Sequence, residues 1–150
     1  MKIYVASSWR NEYQPTIVKL LEALGHEVYD FRNPPGGAGF GWEQLTLDKK
    51  PQEWTPADYE AALAHDRAKD GYNADMFALD AADACVCVLP CGRSAHLELG
   101  YAIGKRKRCV IWFPTEADEP IGEPELMYKA AERAYQVIGL VRIVTGWASR

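Results

Sequence analysis

Residues 85 to 89, Cys-Val-Cys-Val-Leu, are the feature that most restricts the fold. They are five apolar residues in a row with no polar alternation. A strand with one wet face alternates, whereas an unbroken apolar run fits a strand buried on both faces. Cys109 to Phe113 repeats the pattern, Ile3 to Ala6 is a shorter version, and Val28 to Phe31 reads as a further strand. Helical patterns lie between these runs. Ile17, Leu20, Leu21 and Leu24 recur at i, i+3, i+4 and i+7, with Pro15 suited to the first turn and Gly25 to the C-terminal cap. Residues 94–104 read as a helix with Gly104 near its end. A helix near Pro124 to Ala131, a short strand around Tyr135 to Ile138 and a helix over the last dozen residues complete the series. Strands and helices in alternation, with strands this apolar, predict a parallel sheet covered on both sides. Such sheets bind ligands in the crevice outside the carboxyl ends of their strands. Ser7 to Asn11, Pro90 to Ser94 and the segment from Pro114 onward then point into one crevice.

A chain of 150 residues suits one domain, 1–150, with a sizeable core. Lys plus Arg is 17 and Asp plus Glu is 21, a net charge of −4. That balance argues against a nucleic-acid polymer or a membrane surface as partner. The one basic cluster, Lys105 to Arg108, reads as a solvated helix end. No run approaches the roughly 20 apolar residues of a membrane span, and the N-terminus turns polar too soon for a signal peptide. A cytoplasmic protein is expected. Cys85, Cys87, Cys91 and Cys109 lie in or beside apolar runs, without a C-x-x-C pair or a convincing His partner. They read as small buried thiols in a reducing compartment, and neither a metal nor another cofactor is expected.

Residues 32–55 break the alternation. The segment contains Asn-Pro-Pro-Gly-Gly-Ala-Gly-Phe-Gly-Trp, and its glycines lack the G-x-G-x-x-G spacing between strand and helix. A loop of this length in a compact domain is usually functional. It reads either as a mobile lid whose Phe40, Trp42 or Trp54 stacks on a flat ring, or as a surface excursion with its aromatics folded onto the core.

Two carboxylates occupy unexpected positions. Asp75 is in phase with Ala78, Leu79 and Ala82, and Glu98 shares a stripe with Ala95, Leu99 and Ala102. An acid on a core-facing stripe is costly unless it is paired or solvated in a cleft. Both helices flank the strand at 84–89, so both acids can reach one crevice. Two carboxylates in a desolvated cleft push their pKa values apart, as acid–base and glycosyl chemistry requires. The helix start near Ser94 is expected to help keep Glu98 ionised. The competing reading is a pair of helix-surface acids with the stripe phase displaced by one residue.

These stretches resemble the nucleoside 2-deoxyribosyltransferase family, which includes 2'-deoxynucleoside 5'-monophosphate N-glycosidases. Ile3-Tyr4-Val5-Ala6-Ser7-Ser8-Trp9-Arg10 is similar to the family's first strand and turn. Asp75 stands eight residues before Asp83, and Gly92-Arg93-Ser94-Ala95-His96-Leu97-Glu98-Leu99-Gly100-Tyr101 is similar to its nucleophile helix with the motif Glu-x-Gly. Glu125-Leu126-Met127 is a fainter match, with Glu where the family usually has Asn or Ser. The lid does not align.

The resemblance implies a single-domain, doubly wound α/β fold of flavodoxin-like type, with a five-stranded parallel sheet between helices. It implies Glu98 as the nucleophile at the anomeric carbon, Asp75 as a helper in proton transfer to the base, and Tyr4 as the group that orients Glu98. Ser7, Ser8, Trp9, Arg10, Gly92, Arg93, Ser94, Phe40, Trp42, Glu125 and Met127 are the substrate-binding candidates. Ser8 and Arg10 match 5'-phosphate positions, and a helix start at Arg93 and Ser94 is itself suited to an anion. A carboxylate at Glu125 repels phosphate or binds a sugar hydroxyl. A homodimer or higher homo-oligomer is implied, with the region of Met127 completing a neighbour's site. Two other readings stay open: a NAD-cleaving effector related to TIR domains, and a non-catalytic nucleotide sensor of the same fold.

Overall fold

The computed structural model describes residues 1–45, 47–116 and 118–148. Thr46 of the predicted lid and the last two residues of the predicted C-terminal helix lie outside that range. Five strands, β1 (Lys2–Ala6), β2 (Glu27–Asp30), β3 (Ala84–Val88), β4 (Arg108–Trp112) and β5 (Glu132–Ala134), form one sheet in the order β2-β1-β3-β4-β5. Every pairing is parallel. The chain reverses its winding direction between β1 and β3, the place where open α/β sheets of this order bind their ligands.

The period of two along each strand assigns side chains to two layers. Ile3, Val5, Val86, Val88 and Val110 face α1 (Gln14–Ala23) and α5 (Val137–Ala148). Tyr4, Ala6, Cys85, Cys87 and Ile111 face α3 (Asp66–Ala81) and α4 (Arg93–Gly104). A further helix, α2 (Pro56–Leu63), packs against α3 and starts with the capping box of Thr55 and Asp58. β3 is buried along its whole length, as its unbroken apolar run requires. Each fully buried Val or Ile contributes about 1.5–3 kcal/mol relative to exposure. The C-terminal end of α1 follows its signals: Gly25 adopts φ +83°, and the amide of His26 closes the turn on Leu21 O.

Two expectations near the C-terminus are corrected. Leu126–Ala130 is a short 3-10 turn and not an α-helix. Leu126 and Met127 are 80% and 72% exposed, so the segment has no buried stripe to hold a longer helix in place. The fifth strand is Glu132–Ala134, while Val137, expected in a strand, starts α5. A three-residue edge strand with two exposed charged residues carries no apolar signal. Its place comes from pairing with β4, Val110 to Glu132 and Trp112 to Ala134.

The basic cluster is spent partly on internal carbonyls. Lys107 Nζ donates to Asp80 O at 2.8 Å and to Ala82 O at 2.6 Å, and Arg108 donates to Trp147 O. The described residues of 32–55 form bends and turns, with 3-10 segments at Trp42–Gln44 and Pro51–Glu53. Trp42 lies edge-on to Phe40, Trp54 and Tyr59, with ring centroids 5.0, 5.4 and 6.1 Å away. In this arrangement the aromatics are folded back on the protein, as in the surface-excursion reading.

Candidate active site

The site begins with two tyrosines on adjacent strands. Tyr4 of β1 and Tyr29 of β2 are register partners, and their rings stack at 5.3 Å with planes 16° apart. Both project toward the layer of α3 and α4. Asp75 comes down from α3 and accepts the Tyr29 hydroxyl at Oδ1, 2.8 Å away. Glu98 comes from α4, one turn after Ser94 on the same flank of the helix. Tyr101, three residues further, donates to Asp80 Oδ1 of α3 at 2.6 Å, which turns that flank toward α3. Both acids are half-buried.

Burial dominates the electrostatics here. Desolvation, then the charge of Asp75, pushes Glu98 up to about 7. Asp75 is also raised by burial, while the Tyr29 hydrogen bond holds it down. The expectation that a helix start keeps Glu98 ionised is therefore corrected. Glu98 is the sixth residue of α4, and the helix-dipole field fades within the first turn. Burial, then Glu98 and Asp75, raises the Tyr4 phenol far beyond its usual range, so it stays neutral. Its hydroxyl is buried and approaches Glu98 closely enough to oppose the carboxyl's rise, without closing a hydrogen bond of good geometry.

Loop anchors frame the mouth. Ser7 Oγ donates to Val88 O at 2.9 Å, and Asn11 Nδ2 donates to Val88 O and Pro90 O, both at 3.0 Å. The loops after β1 and β3 are thereby clasped at the reversal point of the sheet. Ser8 Oγ accepts from the Arg10 amide, and the Arg10 side chain is exposed. Trp9 sits edge-on to Phe31 at 5.4 Å and donates to Phe40 O at 3.2 Å. Gly92, Arg93 and Ser94 are exposed at the start of α4.

The structure brings Tyr4, Asp75 and Glu98 together but separates them from Glu125 and Met127. These two line a cavity of about 880 Å3 together with His96, Leu99, Gly100 and Ile103. At 3.6 residues per turn those α4 residues lie on roughly the opposite flank from Glu98. Glu125 spends one carboxylate oxygen on its own turn, accepting the Met127 amide at 2.8 Å.

Sequence reasoning placed Asn11 at the crevice without a role and missed Tyr29, Arg32 and Gly71. Tyr29 is a tyrosine inside a short strand, matching Tyr4 in β1, and that repetition was its only signal. Arg32 Nη2 donates to Ser8 O at 2.7 Å and to Asn11 O at 2.8 Å, fixing the first loop from the base of the lid. Gly71 lies in the interior of α3, where a Cβ would stand 2.6 Å from Phe40 Cβ. Glycine there lets Phe40 seat on α3 one turn before Asp75.

No family model and no curated protein matches this chain. Solved structures do. A 2-deoxyribosyltransferase from Bacillus psychrosaccharolyticus superposes with a TM-score of 0.51 and 20% identity, over 91% of this chain and 87% of that one. A conserved protein from Enterococcus faecalis V583 gives 0.56 and 16%, over 97% and 98%. A CMP N-glycosidase from Clostridium botulinum gives 0.51 and 12%, over 98% and 99%. The chain shares their fold nearly end to end.

Proposed function

We propose that this protein belongs to the nucleoside 2-deoxyribosyltransferase family and breaks the N-glycosidic bond of a nucleoside or its 5'-monophosphate. The shared fold supports the family, and the half-buried Glu98–Asp75 pair over Tyr4 and Tyr29 carries the chemistry. Glycosidic cleavage passes through an oxocarbenium-like transition state, which an adjacent carboxylate stabilises and can trap as an ester. The departing base needs a proton.

The pair supplies both needs when it holds one proton. Burial raises both acids, Glu98 to about 7, so the two close carboxyls share a proton. Positive charge developing at the sugar favours ionised Glu98 and shifts the proton to Asp75. Asp75 then delivers it to the base, and Glu98 attacks the anomeric carbon. The neutral Tyr4 hydroxyl closes on Glu98 and orients it. Water or a second base resolves the ester, giving hydrolysis or transfer.

The exposed Arg10, Arg93 and Ser94 suit a 5'-phosphate at the mouth, on loops held by Asn11 and Arg32. Phe40 and Trp42 stack on the base only once the lid leaves its folded-back arrangement. The exposed Leu126 and Met127, remote from Glu98 in their own chain, suit donation to a second copy's site in a homo-oligomer.

Incubation with nucleosides, nucleoside monophosphates and NAD, followed by chromatography for free base, tests the proposal. Base release that disappears in Glu98→Ala is expected. Binding without turnover overturns it in favour of a sensor, and nicotinamide release alone in favour of an effector. Base transfer to an added acceptor separates transferase from hydrolase.

A further inference from the structure

Beside this site, within reach of the Glu98 charge, two of the four cysteines converge. Cys87 Sγ of β3 and Cys91 Sγ of the following loop lie 3.6 Å apart. His96 Nδ1 lies 3.6 Å from Cys91 Sγ and 2.8 Å from Gly92 O. A carbonyl only accepts, so Nδ1 carries the proton and also points a donor toward the Cys91 sulfur. His96 Nε2 then accepts the Tyr128 hydroxyl at 2.6 Å, and the two rings stack at 5.7 Å. The two thiols are unequal. Cys87 is fully buried, whereas Cys91 is half-buried and lines the 880 Å3 cavity. Hydrogen bonding from Cys87 holds the Cys91 thiol below its usual range, and the same contact with burial holds Cys87 well above. A cavity-facing thiol 3.6 Å from a sequestered second thiol is the arrangement of an oxidant-sensing pair.

We propose that Cys91 and Cys87 form a reversible oxidation site, in which a hydroperoxide entering the cavity oxidises Cys91 and Cys87 resolves the product to an intramolecular disulfide. The Cys91 sulfur attacks a peroxide oxygen. An S–O bond forms, the O–O bond breaks, and the leaving hydroxide takes the thiol proton as water. The Cys87 sulfur then attacks the sulfenic sulfur of Cys91. An S–S bond forms, the S–O bond breaks, and hydroxide leaves with the Cys87 proton as a second water. Two thiols lose two electrons together, and hydrogen peroxide becomes two waters. The sulfurs close from 3.6 Å to the disulfide length of about 2 Å. Cys85 and Cys109 are internal controls, because Cys85 is buried in mid-strand and Cys109 donates to Lys107 O at 3.4 Å. The proposal is independent of the glycosidic chemistry.

The reduced full chain is treated with hydrogen peroxide and followed by thiol titration, intact mass and peptide mapping. Two of the four thiols and two hydrogens should be lost, the bridge should map to residues 87 and 91, and dithiothreitol should restore both. Cys91→Ser should leave Cys87 reduced. Cys87→Ser, or Cys87→Ala if the serine variant does not fold by circular dichroism, should stop at a Cys91 sulfenic acid trapped by dimedone. Survival of all four thiols under peroxide that oxidises free cysteine overturns the proposal. So does a bridge that maps elsewhere or joins two chains.

Discussion

Tyr29 of β2 and Asp75 of α3 meet across 2.8 Å, with the phenol hydroxyl donating to Oδ1 of the acid. One side chain belongs to the sheet and the other to the layer above it, so the bond fixes where Asp75 stands against Glu98. It also opposes the burial that raises Asp75.

Tyr29→Phe keeps the ring stacked on Tyr4 and removes only that donor. Asp75 should then be protonated more easily, and the acid limb of the kcat/KM profile should move to higher pH. The pH–rate profile of free base release checks the shift, and an unmoved acid limb removes Asp75 from the rate-determining proton transfer.

Glu98 makes stability depend on pH in a defined direction. The unfolded carboxyl titrates near 4.5 and the folded one near 7. Between those values the folded state binds more protons, so this residue's contribution to stability falls as pH rises through the window. Glu98→Gln should abolish turnover and flatten that slope, gaining on the order of 2 kcal/mol at about pH 8 relative to wild type. Urea unfolding of both proteins on either side of the window measures it. A variant less stable than wild type at the higher pH contradicts the assigned burial.

Gly71→Ala improves helix propensity by about 1 kcal/mol and yet should destabilise the protein. The new Cβ would stand 2.6 Å from Phe40 Cβ, and a seated ring cannot yield without moving the lid. Phe40→Ala should relieve the clash, so the double variant should show a favourable coupling in chemical denaturation. Additive effects would mean that Phe40 does not rest on α3 in solution.

Two arginines near the mouth should behave differently. Arg10 is exposed, and Arg10→Ala should weaken a 5'-monophosphate at least tenfold, about 1.4 kcal/mol, with little effect on a nucleoside. Arg32 is bonded to Ser8 O and Asn11 O, so Arg32→Ala should loosen the loop and raise KM for both substrates. Steady-state kinetics on the two substrate classes separates these outcomes, and equal losses in Arg10→Ala argue against a phosphate pocket at this loop.

Much of the fold was readable in the amino-acid order because two-sided burial leaves no room for polar residues. The unbroken runs at 85–89 and 109–113 announced central parallel strands, and the Ile17, Leu20, Leu21, Leu24 stripe with Gly25 announced a capped helix. β5 was misplaced because Glu132-Arg133-Ala134 has no apolar signature and owes its conformation to its neighbour β4. Asp75 and Glu98 were legible as acids in phase with apolar stripes. Their common destination was not legible, because α3 and α4 are separated in sequence by β3 and converge only when that strand enters the sheet.

The order of residues alone therefore determined the layers, through local periodicity and the cost of burying polar groups. Tertiary structure decided that burial raises both acids, that Tyr29 bonds Asp75 while Gly71 seats Phe40, and that Glu125 and Met127 line a cavity on another flank of α4. Those outcomes depend on desolvation and on contacts across 46 positions between Tyr29 and Asp75. Such contacts are set by packing, which no local pattern encodes.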